Sequence, residues 1–271
     1  MTKFSLAHLT VLGLSPPDAA RTAADLGYDF VSFRIIPLGL PGEPRHVVAE
    51  DKALLRETKQ ALASARIPLL DIELARIVDG VDVRQFEPHL EAGAELGAKH
   101  LMTAIYTPDE AFAADAFAQL CALAAQYKLS VNLEFIAFSA VNTLAKAVAV
   151  VRKANQPNAA VMVDTLHCGF TRMAPGELDG LSASLFNYAQ LGDAKLDGDP
   201  DTAEMTRIAR EERYFPGEGV IPIKEIIARL PDMPLSLEIT HKKRIEEFGY
   251  REFARQALAA TKKYLGEART R

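Results

Sequence analysis

The sequence predicts an α/β protein, a (β/α)8 TIM barrel filling residues 1–271 as a single domain. Three observations lead there. Short β-type runs alternate with helix-patterned segments along the whole chain, the order that produces a parallel sheet wrapped by helices. Eight such pairs can be counted, and about 250 residues is the usual size of an eightfold barrel. The first strand-to-helix connection, HLTVLGLSPPD, lacks the glycine-rich phosphate loop with which an open doubly wound sheet usually begins. No linker, low-complexity block or change of composition interrupts the alternation.

In chain order, a strand near Phe4 to Ala7 leads into a helix from Pro17 to Leu26. Ser15 stands before its proline pair as N-cap and Gly27 follows its end. Phe30 to Arg34 reads as the second strand and Asp51 to Ala65 as its helix. Leu69 to Glu73 precedes Phe86 to Leu96, which Gly97 closes. His100 to Ala104 precedes Asp109 to Tyr127, whose Ala, Leu and Phe residues between 111 and 123 form a barrel-facing stripe. Val131 to Glu134 with Leu144 to Asn155, then Val161 to Asp164, Tyr188 to Leu191 and Leu235 to Glu238, complete the strands, and Tyr250 to Leu265 is the last helix. The stretch KLDGDPDTAEMTRIAREERYFPGEG after Asp193 is long for a connection and is expected to cover a site.

A formal net charge of -5 argues against a nucleic-acid partner, whose footprint on a protein is basic and clustered. Cys121 and Cys168 are too few for a disulfide framework and lack zinc-ligand spacing, which fits a reducing cytoplasm. The start lacks the features of a signal peptide, and no apolar run reaches membrane-spanning length, so no membrane role is expected.

Four strand-like runs end in residues able to bind a metal: VNLEF with Glu134, VMVDT with Asp164, YAQLGD with Gln190 and LSLEI with Glu238. Val131, Leu133 and Phe135 alternate away from Asn132 and Glu134, and Leu235, Leu237 and Ile239 away from Ser236 and Glu238. All four candidates therefore point inward at the C-terminal ends of the strands, where barrel active sites lie. Three carboxylates and an amide form a hard-oxygen set suited to one divalent cation. The plainer reading pairs these acids with Arg34, Lys195 or Lys242 in an ion network at the barrel mouth.

The runs NLEF, VDTLH, AQLGD, FPGEG at 215 to 219 and LEI resemble, in order and spacing, the xylose isomerase-like TIM barrels of the sugar phosphate isomerase/epimerase group. That resemblance implies that Glu134, Asp164, Gln190 and Glu238 hold one divalent metal: manganese, magnesium, cobalt or zinc. Many members carry His where Gln190 stands, whereas Gln190 looks more like the hydroxypyruvate isomerase type; with less nitrogen ligation the choice tilts to manganese or magnesium. It further implies that Glu134 and Glu238 face the substrate from opposite sides as catalytic bases, and that proton removal next to a carbonyl gives a metal-bound enediolate. His167, in DTLH, and Arg213, just before FPGEG, match substrate-contacting positions. Arg34 and Glu73 have inward parity and are expected to line the pocket, unless they pair with each other; His8 is a further candidate. Glu218 is left out, because glycines on both sides point to backbone shape.

The expected activity is that of a metal-dependent isomerase or epimerase of a small keto sugar or hydroxy-keto acid. A dehydratase of the inosose or dehydroshikimate type is the alternative, with His167 as the acid. Because Arg34, Lys195, His241 and Lys242 could reach the mouth, an anionic substrate is within the expectation. An endonuclease IV-like activity would need a histidine-rich zinc cluster, and a non-catalytic sugar-binding barrel would not need the four ligands. Relatives suggest a dimer or tetramer, with no interface legible in the chain.

Overall fold

The computed structural model describes residues 2–39, 43, 44 and 46–266. Eight parallel strands close on themselves in sequence order. They are β1 Phe4–Leu6, β2 Phe30–Arg34, β3 Leu69–Ile77, β4 His100–Ile105, β5 Ser130–Glu134, β6 Ala159–Asp164, β7 Ala189–Leu191 and β8 Leu235–Leu237. Ser5 lies opposite both Phe30 and Ser236, so β1 joins β2 to β8 and no sheet edge remains.

The helices are α1 Pro16–Leu26, α2 Lys52–Ala65, α3 Glu87–Glu95, α4 Glu110–Gln126, α5 Leu144–Ala154, α6 Thr165–Phe170, α7 Thr202–Glu211, α8 Ile223–Ile227 and α9 Lys242–Leu265. Their ends obey local chemistry. Ser15, Asp51 and Asp109 accept backbone N–H groups at the starts of α1, α2 and α4, and Gly27 ends α1 in the left-handed conformation. Inside α9, Gly249 has φ 73°, which breaks the helix just before Tyr250, the start that the sequence predicts.

Two elements differ from expectation. β3 runs four residues past Glu73, and its partners on β4 jump from Ile72↔Leu101 to Ala75↔Thr103. Three residues of β3 therefore span two of β4, a bulge that reverses the alternation and hides the rest of the strand from a period-two reading. The segment after Asp193 contains α7, of which only Ile208 and Ala209 are buried.

The apolar alternation sorts the strands' side chains into two cores. Phe4, Leu6, Phe33, Leu133, Val163 and Leu237 face the helices in the larger one. Inside the barrel Leu70, Leu74, Met102, Met162 and Tyr188 form a smaller one. Polar side chains share that interior: Ser32 Oγ donates to Asp71 Oδ1 and lies 3.0 Å from Ser5 Oγ, all buried. The interior below the rim is thus filled, and a cavity opens at the C-terminal mouth.

Candidate metal and substrate site

Strand stagger brings the four expected ligands to one end. Asp164 is level with Gln190 across β6 and β7, whereas Glu134 is level with Met162 and Gln190 with Ser236. Glu134 and Glu238 therefore step along the register as strands tilt around a barrel, and still share its mouth. Glu238 stands one residue beyond β8 but remains aligned, its N–H donating to Leu191 O (3.1 Å). All four residues are buried.

Arg213 joins two of them. Its Nη1 donates to Asp164 Oδ2 (2.8 Å) and to Glu238 O (3.1 Å), its Nη2 lies 2.7 Å from Glu238 Oε2, and its Nε donates to Ala209 O (2.9 Å). Gln190 Nε2 donates to the other Glu238 oxygen (3.1 Å). His167 lies on α6, which Asp164 caps by accepting the Leu166 N–H (2.8 Å). The His167 Nε2 atom stands 3.7 Å from Glu134 Oε1 and 4.0 Å from Asp164 Oδ2. Glu134, Asp164 and His167 form the one cluster of potential metal ligands found among the described residues. Glu238 lies outside that cluster, turned to Gln190 and Arg213.

Burial, with the charges of Asp164 and Glu238, pushes the Glu134 carboxyl well above its ordinary range. Burial raises Glu238 too, against the pull of Arg213. Burial and Arg213 hold His167 well below its usual value, so the ring is neutral. The Ala137 N–H donates to its Nδ1 (3.4 Å), which leaves the proton on Nε2, facing Glu134.

These residues fit a divalent cation. Three buried carboxylates, Glu134, Asp164 and Glu238, face one bonded guanidinium and a neutral imidazole, so ionising all three calls for two further positive charges, which one divalent cation would supply. Gln190 Oε1 is buried with no hydrogen-bond partner, an acceptor awaiting a donor or a cation.

Above the ligands lies a cavity of about 320 Å3 that Glu134, His167, Arg213, Glu238, Arg34 and Arg210 line on its polar side. Ala209, Arg210 and Glu211 bring α7 over it, as expected of the segment after Asp193. Arg34 reaches the wall, but Glu73 does not: it lies wholly buried behind Arg34, 3.5 Å from Nη2. His8 is structural, its Nδ1 accepting from the Arg34 N–H (2.9 Å) and its Nε2 bonding to Leu14 O (3.0 Å). Lys195 covers the Tyr214 ring and His241 meets that ring edge-on; neither they nor Lys242 lines the cavity. Arg210, within α7, and Tyr106, just past β4, do line it and were not legible in the sequence, because the facing of each depends on distant packing. Phe138, beside His167 at 5.5 Å between rings, is a third.

Asp193 organises the covering segment. Its carboxylate accepts the N–H groups of Ala194, Gly217, Gly219 and Ile221 at 2.9–3.1 Å. Backbone pairing of Asp193 with Tyr214 and of Glu212 with His241 brings Arg213 between them to the site. Glu218 serves this shape, accepting the Phe215 N–H (3.1 Å) and pairing with Arg244 (2.8 Å).

No helix among the described residues is long and apolar enough to cross a membrane. No curated protein sequence matches the chain. Solved structures do. The IolI protein, crystallised with a bound zinc atom, is similar over 100% of both chains, with TM-score 0.81 and 17% identity. The D-psicose 3-epimerase of Clostridium cellulolyticum H10, solved with D-tagatose, has TM-score 0.73 and 16% identity over 97% of this chain and 99% of that one. A xylose isomerase-like TIM barrel/4-hydroxyphenylpyruvate dioxygenase fusion protein has TM-score 0.77 and 20% identity over 96% of this chain, which spans 42% of the fusion's length. At such identities these likenesses show the barrel. The family model described as xylose isomerase-like TIM barrel matches residues 20–264, and the chain belongs to that family.

Proposed function

We propose that this protein is a divalent-metal-dependent isomerase or epimerase of a small keto sugar or hydroxy-keto acid, acting by proton removal next to a carbonyl. The observation that carries this reading is the convergence of the buried carboxylates Glu134, Asp164 and Glu238 around Arg213 and His167, with Glu134 and Glu238 lining one cavity. The oxygen-rich set favours manganese or magnesium, and cobalt or zinc would also be held. The zinc in the IolI structure and the sugars in the epimerase structures support the same class of chemistry on similar barrels.

A bound divalent ion would polarise a substrate carbonyl and so acidify the neighbouring C–H. The chain's own residues supply the rest. Burial among other carboxylates raises the proton affinity of Glu134, which suits it to accept that proton. Glu238, on the far strand and held by Gln190 and Arg213, is placed to act from the other side. Two bases on two faces invert a centre, and one base used twice moves the carbonyl. His167, neutral with its proton on Nε2, donates toward Glu134 or toward a substrate oxygen in its place. The same proton could go to a departing β-hydroxyl, and for that reason a dehydratase of the inosose or dehydroshikimate type is the second reading.

The test is proton NMR of the manganese-treated protein, followed by metal removal and extraction of the products, in deuterated water against keto sugars, hydroxy-keto acids, inososes and dehydroshikimate. Deuterium beside a carbonyl with an unchanged formula supports isomerase or epimerase chemistry. An unsaturated product short of one water supports the dehydratase, and no turnover with any class would refute both.

A further inference from the structure

Two arginines line the cavity from within the protein, and they differ in how well they are bonded. Arg213 makes three hydrogen bonds and a second ion pair, all at 2.7–3.1 Å. Arg34 is almost as deeply placed, its side chain 10% exposed, yet its one recorded side-chain bond is the 3.5 Å contact with Glu73. Its Nε is buried with no partner. A guanidinium offers five N–H donors in a planar fork, and leaving them unmet in a buried wall is costly. The group that satisfies such a fork is a planar, two-oxygen anion.

We propose that the substrate carries a carboxylate, received by Arg34 at the cavity wall opposite its reacting carbonyl. This rests on the reading of the cavity as the reaction site, and it selects the keto acids from the two substrate classes named there. Arg210, exposed on α7 at the rim, has no hydrogen bond or ion pair among the described residues. Burial and the charge of Glu134 push the Tyr106 hydroxyl up to about 12, and the charges of Arg76, Arg210 and Arg34 reach the same hydroxyl and oppose that rise. Of the acids nearby, Glu238 and Glu43 act on Arg34 through their charges without a recorded bond to it, Glu43 being engaged by the N–H groups of Leu38 and Gly39 (2.9 and 3.0 Å), and Glu211 lines the cavity from α7. Glu73, its carboxyl pushed up to about 7 by burial, only partly neutralises Arg34 near neutral pH.

Beside the polar groups Glu43, Tyr106 and Glu211, much of the remaining wall is apolar: Leu9, Leu12, Leu38, Met102 and Phe138. A sugar with a hydroxyl on every carbon would set several against hydrocarbon without partners. A compact keto acid presents its polar atoms at two ends, one to the carboxylate cluster and one to Arg34. A phosphate would leave an oxygen beyond the reach of a single buried fork.

The test is calorimetric binding to the full chain, with and without manganese, of 3-oxocyclohexanecarboxylate, its carboxamide, D-fructose and D-fructose 6-phosphate. The acid is expected to bind at least about tenfold tighter than the amide, about 1.4 kcal/mol, and tighter than either sugar. Arg34→Met should erase that preference and Arg34→Lys keep part of it. Because Arg34→Met strands Glu73, the double variant Arg34→Met/Glu73→Gln guards against misfolding and should likewise show no preference. Equal binding of acid and amide, binding of neither, a tighter phosphate, or a preference that survives in the folded double variant would overturn the proposal. Loss of the metal-enzyme reading would look different: no manganese uptake, with the Arg34-dependent preference intact.

Discussion

Glu238 is the residue whose removal is most informative, because it contacts both the amide and the guanidinium of the site. Its two oxygens meet Gln190 and Arg213, and its backbone carbonyl accepts from Arg213 as well. Glu238→Gln keeps the volume and the carbonyl contact while deleting a charge and a base. Turnover should fall by roughly three orders of magnitude or more, with the thermal midpoint little changed; near-normal turnover would end the assignment of Glu238. His167→Ala separates two roles in another way. With its Nε2 proton toward Glu134, His167 is a donor, so the variant should lose turnover and retain its metal in calorimetry; loss of metal would make His167 a ligand. At this scale the sequence is legible where strand periodicity decides direction, as at Glu134, Asp164, Gln190 and Glu238. It is opaque at Arg210, and Arg213 is reached only through the family resemblance, because periodicity does not sort the two within the charged run REER. One is exposed at the rim and the other is buried beneath it, because the chain folds back through Asp193–Tyr214 and Glu212–His241 pairing.

The element that depends most on a single side chain is the segment between β7 and α8. Asp193 accepts four backbone N–H groups there while fully buried. A side chain at Gly219 would put its Cβ 2.2 Å from Asp193 Oδ1 and 2.3 Å from Ala194 O, so only glycine lets the two strands of this loop approach. Asp193→Ala should therefore cost about 2–4 kcal/mol through the N–H groups left unmet, measured by urea unfolding, with faster amide exchange at Gly217, Gly219 and Ile221. Unchanged exchange at those three amides would show that the loop is held by other contacts. The strand and helix order was legible here, and so was the importance of the backbone in PGEG. The helix α7 was not: its period is clear, but only Ile208 and Ala209 of it are buried, and so polar a segment set after KLDGDPD reads as part of a loop. β3 was legible only as far as Glu73, because its bulge between Ile72 and Ala75 shifts the alternation that identifies a strand.

Across the whole molecule, the barrel buries groups whose protonation the fold opposes, and its stability must follow pH accordingly. His100, at the start of β4, bonds Ser130 Oγ through Nδ1 (2.7 Å) and stacks on Tyr188 at 5.4 Å. Burial, helped by Lys99, lowers its pKa to about 4, and burial lowers His8 likewise to about 4. In the unfolded chain both titrate near 6.5. Between those values the unfolded state binds protons that the folded state refuses, so their contribution is complete above pH 6.5 and is lost as pH falls toward 4. Glu73 runs the other way. Raised to about 7, it contributes below its unfolded value and loses that contribution as pH rises to 7. These two histidines act against Glu73 over the shared window, as the lowered His167 acts against the raised Glu134 and Glu238, and a single variant isolates one of them. His100→Asn keeps an amide for Ser130 and removes the titration, so its loss of unfolding free energy from pH 7 to pH 4.5 should be about 2 kcal/mol smaller than the parent's. Chemical denaturation of both proteins at the two pH values measures this, and parallel losses would mean that His100 takes its proton as readily in the fold as out of it.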